Sequence, residues 1–155
     1  MPVEKLKDYL DENNIKYVVI SHSSAFTALE VAASAHLPGK ELAKTVMVKI
    51  DGKMAMVVLP SSYKIDFDLL KDVTNAEQIE LAEEDEFSSL FPNCQVGTMP
   101  PFGNLYDMDV YVAEALTKAE EIAFAAGSHS ELIKLAYKDF EKLVKPVVKQ
   151  FSLPR

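Results

Sequence analysis

The segment Gly97-Thr98-Met99-Pro100-Pro101-Phe102-Gly103 sets two of the chain's five glycines around two of its eight prolines within seven residues. Pro-Pro fixes two φ angles and removes two backbone donors, so such a loop is stiff. The flanking glycines permit φ > 0 and close approach of a ligand to the backbone. Amides at the ends of a stiff loop can form a preorganised wall that stabilises developing negative charge. The alternative is a plain surface loop, because Gly and Pro mark most turns.

Lys44 opens an apolar run, Ala43-Lys44-Thr45-Val46-Met47-Val48. In a strand, Lys44, Val46 and Val48 share one face, and Thr45 and Met47 the other. A lysine among valines is costly unless it snorkels from the strand end or serves a site. Gly127-Ser128-His129-Ser130 is the third polar constellation. Neighbouring side chains diverge, so Ser128 and His129 do not form a nucleophile pair, and no G-x-S-x-G elbow is present. A loop histidine is otherwise a surface residue or a hydrogen-bond filler. Cys94 has no basic neighbour in sequence and reads as a small buried hydrophobe rather than a thiolate. His22 and His36 lie in no motif, Ser61-Ser62-Tyr63-Lys64 reads as a turn, and the methionines read as core fillers.

These residues need elements to hold them. Pro2 to Asn13 reads as a helix with Val3, Leu6, Tyr9 and Leu10 on one face, and Tyr17 to Ile20 as a strand. Thr27 to Glu30 has a capping-box pattern before an alanine-rich helix through Ala35. Asp51-Gly52 between the apolar runs Ala43–Ile50 and Lys53–Leu59 predicts a hairpin. Asp66 can cap a helix through Lys71, Gln78 to Leu81 reads as a strand, and Glu83 to Leu90 as a helix with acids in its first turn. Strands follow at 109–113, 121–125 and 131–137, and a helix at 139–145 that Pro146 ends or kinks. The pattern is mixed α/β with a largely antiparallel or mixed sheet and helices packed outside.

At 155 residues the chain is expected to form one domain, 1–155, of ordinary globular composition. No apolar run approaches a membrane span, and residues 1–11 lack a signal-peptide core. One cysteine and three scattered histidines give no zinc spacing and suit a reducing cytoplasm, so neither a metal nor another cofactor is expected. A net charge of −8 argues against indiscriminate nucleic-acid binding. The charge is polarised, however. Residues 77–86 hold six acids and no base, whereas 134–155 hold six bases and two acids. That basic end is either a solvated face or a surface for a polyanion.

Three segments in order, Ala43-Lys44-Thr45-Val46, Val96 to Gly103 and Ala126-Gly127-Ser128-His129, resemble the YbaK/ProX family of aminoacyl-tRNA deacylases. This family includes the editing insertion of bacterial prolyl-tRNA synthetases and free-standing trans-editing proteins. The resemblance runs from about Ile20 to Val144 and takes in the acidic segment Glu83 to Phe87 with Leu90-Phe91-Pro92. It implies a mixed, largely antiparallel, barrel-like sheet flanked by helices. It also implies hydrolysis of the ester joining a wrong amino acid to the terminal ribose of a tRNA, usually that for proline. Lys44 matches the family's lysine and His129 the histidine of the synthetase-insertion and alanine-editing branches. The cysteine-editing branch lacks that histidine, which weighs against Cys as substrate. Ser130 stands where many relatives have Gly.

The resemblance assigns catalysis to Lys44, His129, Gly97 and Gly103. It assigns substrate contacts to Thr45, Val46, Thr98, Met99, Pro100, Pro101, Phe102, Gly127 and Ser128. An aminoacyl ester is already activated, so a placed water and a stabilised oxyanion suffice, each backbone donor contributing about 3 kcal/mol. The expected function is trans-editing of tRNA for proline carrying Ala, Ser or Thr, either alone or with a synthetase as partner. The rivals are a non-catalytic module that binds the tRNA acceptor end, a small-molecule esterase using His129, and a pure interaction protein.

Overall fold

The computed structural model describes residues 4–21, 38–92, 94–95 and 97–154. Asp51 and Gly52 both take positive φ, 49° and 82°, as a two-residue type I′ hairpin turn requires. The turn joins β2 (Ala43–Ile50) to β3 (Lys53–Pro60), which pair antiparallel from Ala43↔Pro60 to Ile50↔Lys53. Asp51 Oδ1 also accepts from the N–H groups of Glu77 and Gln78, both at 2.9 Å. Those bonds bring in β5 (Ile79–Leu81), antiparallel to β2 on its other edge.

β6 (Asp109–Ala113) runs parallel to β3, and β9 (Val147–Lys149) parallel to β6. The order β5-β2-β3-β6-β9 makes a five-stranded mixed sheet. β1 (Tyr17–Ser21), β7 (Glu121–Ala125) and β8 (Glu131–Ala136) form an antiparallel sheet in the order β1-β8-β7. β4 (Tyr63–Ile65) and β10 (Ser152–Pro154) pair as a short antiparallel ribbon. The expected turn is therefore confined to Ser61-Ser62. β4, β9 and β10 are three residues each, and only partners distant in sequence make them strands.

Asp66 caps α2 (Phe67–Thr74) as expected, its carboxylate accepting from Leu69 N–H at 3.0 Å. α1 (Glu4–Glu12) buries Leu6 and Leu10. The acidic helix is shorter than the sequence suggests: α3 spans Glu84–Phe87 and passes into a 3₁₀ turn at Ser88–Leu90. Phe91 N–H donates to Ser88 O at 3.2 Å, the i→i+3 bond that closes this tighter turn. α4 (Tyr137–Val144) starts two residues early, because Tyr137 N–H donates to Glu120 O at 2.9 Å and its ring is buried. Lys145, at φ 52°, ends it just before Pro146. The expected capping box at Thr27–Glu30, the helix through Ala35, His22 and His36 lie outside the described residues.

The larger core fills the space between the two main sheets and includes Leu10, Met56, Phe102, Phe124, Ile133 and Phe140. A smaller core, with Val48, Val57, Leu59, Leu70 and Phe151, lies on the opposite face of the five-stranded sheet. Val46 and Val48 side with the smaller core and Met47 with the larger, as the strand pleat predicts. The two main sheets meet where Leu42 forms a parallel bridge with Ala123, reinforced by Ala123 N–H donating to Glu41 O at 2.9 Å.

Candidate active site

That junction positions Lys44. It follows Leu42 by two residues and shares its face, as Ala125 follows Ala123. Lys44 is half-buried, opposite Leu59 on β3, and stands beside the end of β7 from which Gly127-Ser128-His129 departs. Thr45 and Val46 are half-buried on alternate faces, Val46 packing on the smaller core.

Thr98 through Gly103 are all buried, and Gly97 is exposed. The plain-surface-loop alternative is thereby removed. Met99 and Phe102 point into the larger core, with Phe102 5.5 Å from the Phe124 ring and 5.4 Å from that of Phe140. Their side chains shape the loop from behind. α1 backs the following turn: Lys5 Nζ donates to Leu105 O at 2.5 Å, and Asn104 Nδ2 to Tyr9 Oη at 3.0 Å. The two glycines have different reasons. Gly97 takes φ +80° with open space around a Cβ position, so its requirement is conformational. At Gly103 a Cβ would lie 2.5 Å from Val110 Cγ2 and 2.6 Å from Met108 O, so its requirement is steric.

The loop is stitched to the histidine segment. Gln95 N–H donates to Gly127 O and Gly127 N–H to Thr98 O, each at 2.9 Å. Thr98 donates to Gln95 O through its N–H at 3.1 Å and through Oγ1 at 2.6 Å. His129 N–H donates to Gln95 Oε1 at 2.6 Å. Gly127, at φ 105°, makes the bend. Ser128 Oγ accepts from Ser130 N–H at 3.4 Å, in keeping with a structural rather than nucleophilic serine. The amides of Thr98, Gly127 and His129 are thus already engaged. Gln95 is the residue that sequence reasoning missed: a polar residue two places before a glycine carries no signal of where its amide will reach.

Cys94 is half-buried, and burial pushes its thiol up to about 11. It is un-ionised at neutral pH and unsuited to nucleophilic attack. Alkylation by iodoacetamide is expected to be slow at pH 7.5 and to accelerate as pH rises towards 11. Fast labelling at neutral pH would contradict this burial. The acids are held elsewhere. Lys49 Nζ contacts Glu86 at 2.6 Å and Glu80 at 3.8 Å. The hydrogen bond from Lys49 holds the Glu86 carboxyl below its ordinary range. At about 3.3 Å per strand residue, that pair sits about 17 Å along β2 from Lys44. Among the described residues, no helix is long and apolar enough to cross a membrane.

The model of the aminoacyl-tRNA editing domain family matches residues 22–143. A proline–tRNA ligase of Bacillus cytotoxicus is 31% identical over 87 residues, and one of Bacillus mycoides 28% over the same length. The aligned segment is 56% of this chain but 15% of either ligase. Two crystal structures share the fold. A hypothetical protein superposes with a TM-score of 0.85 at 19% identity, over 97% of this chain and all of the other. A candidate trans-editing enzyme for prolyl tRNA synthetase superposes with a TM-score of 0.81 at 18% identity, over 96% and 95%.

Proposed function

Since the chain belongs to the aminoacyl-tRNA editing domain family, we propose that it is a trans-acting deacylase of tRNA for proline carrying a small wrong amino acid, Ala first, with Ser or Thr as alternatives. The observation that supports this most is the joining of the glycine–proline loop, Gly127-Ser128-His129 and the start of β2 at one end of β7. In this reading water adds to the ester carbonyl carbon, and the ester C–O bond breaks. The terminal ribose oxygen leaves as a hydroxyl, taking up a proton. Loop amides other than that of Thr98 bind the oxyanion, and Gly103 sets their position by its packing. Lys44 holds the 3′-terminal phosphate or the carbonyl region, and His129 orients water or the substrate amino group. A tRNA ribose hydroxyl accepts a proton from the attacking water as it passes its own to the leaving ribose oxygen, so the water's proton ends on the departing hydroxyl.

The basic face is the surface we assign to the acceptor stem. Lys138 and Lys142 are exposed on the side of α4 away from buried Tyr137 and Phe140, and exposed Lys145 and Lys149 follow. No ion pair engages these four among the described residues. The length of β8 sets Lys138, just past its end, about 20 Å from His129, a distance suited to a stem phosphate rather than to the terminal nucleotides.

The test is release of amino acid from Ala-, Ser-, Thr-, Cys- and Pro-tRNA for proline. Selective release from one mischarged tRNA is expected. Binding without release from any would make the chain an acceptor-end binding module, and turnover of simple esters without tRNA would make it a small-molecule esterase. Lys138→Glu with Lys142→Glu should weaken tRNA binding and reduce the slope of log K against log salt by about 2. An unchanged slope would remove that face from the interface.

A further inference from the structure

We propose that Gln95 is a positioning residue of this site, its side-chain amide oxygen holding His129 in register with the glycine–proline loop. The inference rests on the deacylase reading above, but the linkage it describes can be measured without it. Among the described residues, the other hydrogen bonds of Gln95 run through its main chain. Its N–H reaches Gly127 O, and its carbonyl accepts both donors of Thr98. Those bonds survive replacement of the side chain. The contact from His129 N–H to Oε1, at 2.6 Å, does not. A side-chain substitution therefore leaves the two loops docked and releases one thing, the hold on the backbone of His129.

Gln95 is exposed. Exposed hydrogen bonds add little to global stability, whereas an ångström of misplacement at a reacting centre can cost about 100-fold in rate. The role is thus geometric, and the acceptor atom carries it. Glutamate presents the same acceptor at the same reach, while alanine presents none. A carboxylate also repels a polyanion, so glutamate should weaken tRNA binding without disturbing the chemical step.

The experiment compares the full chain with Gln95→Ala and Gln95→Glu by steady-state deacylation and by hydrogen exchange at the His129 amide. Gln95→Ala is expected to lower kcat about tenfold or more with little change in KM, and to speed exchange at His129. Gln95→Glu is expected to keep kcat and the protection of that amide while raising KM. If the wild type is active and Gln95→Ala matches its kcat, the proposal falls. It also falls if glutamate is as damaging to kcat as alanine. If the wild type deacylates no tRNA, the functional reading fails by itself. The linkage is then judged by exchange alone: faster exchange in Gln95→Ala upholds it, and unchanged exchange overturns it.

Discussion

Replacing Gly103 by alanine is expected to lower the Tm by about 10 °C, corresponding to about 3 kcal/mol, and to reduce deacylation even well below the new Tm. The added Cβ meets Val110 Cγ2 at 2.5 Å and Met108 O at 2.6 Å. Val110 is a β-branched residue buried on β6, with few rotamers to retreat into. Met108 is anchored by its own N–H, which donates to Gly103 O at 2.9 Å. Relief must come from the loop, which moves the wall of the site. Gly97→Ala is the control. It meets nothing within 4 Å but must keep φ near +80°, a strain of about 1 kcal/mol and a loss of about 3 °C. Thermal unfolding of the two variants checks the contrast, and equal Tm values would mean that the close packing at Gly103 is wrong.

Lys44→Ala and His129→Ala are each expected to slow single-turnover deacylation about 100-fold, the scale on which loss of one preorganised charged or polar group acts. Lys44 is half-buried at the seam between β2 and β7, where a cation is less screened than at the open surface and so acts more strongly on a developing anion. Lys44→Arg is not expected to rescue, because a planar fork does not replace a compact ammonium at a crowded strand end. Both alanine variants should keep the wild-type unfolding curve within about 1 kcal/mol, since half-buried polar side chains carry little of the core. Unchanged single-turnover rates in both would end the assignment of these residues to catalysis.

Much of the architecture was legible locally. Asp51-Gly52 makes its hairpin, Asp66 caps its helix, and Pro146 follows the end of α4, because each rests on chemistry within four residues. The motifs at Lys44, 97–103 and 127–129 were visible as unusual residue combinations, and the family resemblance is what led us to expect them in one site. Their arrangement came from elsewhere. The parallel pairings of β3 with β6 and of β6 with β9, and the bridge from Leu42 to Ala123, join segments with no periodic signal for each other. The same holds for burial. Nothing in Thr98 to Gly103 distinguishes a buried wall from a surface loop until Phe102 meets Phe124 and Phe140.

The sequence by itself determined the hairpin, the Asp66 cap and the strand faces, since these follow from φ preferences, side-chain reach and alternation. Tertiary structure decided the rest. It made Gly103 a steric necessity and Gly97 a conformational one, and it set the acids of α3 far along β2 from Lys44. It also turned Gln95 into the tie between two loops more than thirty residues apart. The physical reason is common to all three: each depends on which distant atoms arrive at a position, and local propensity carries no information about them.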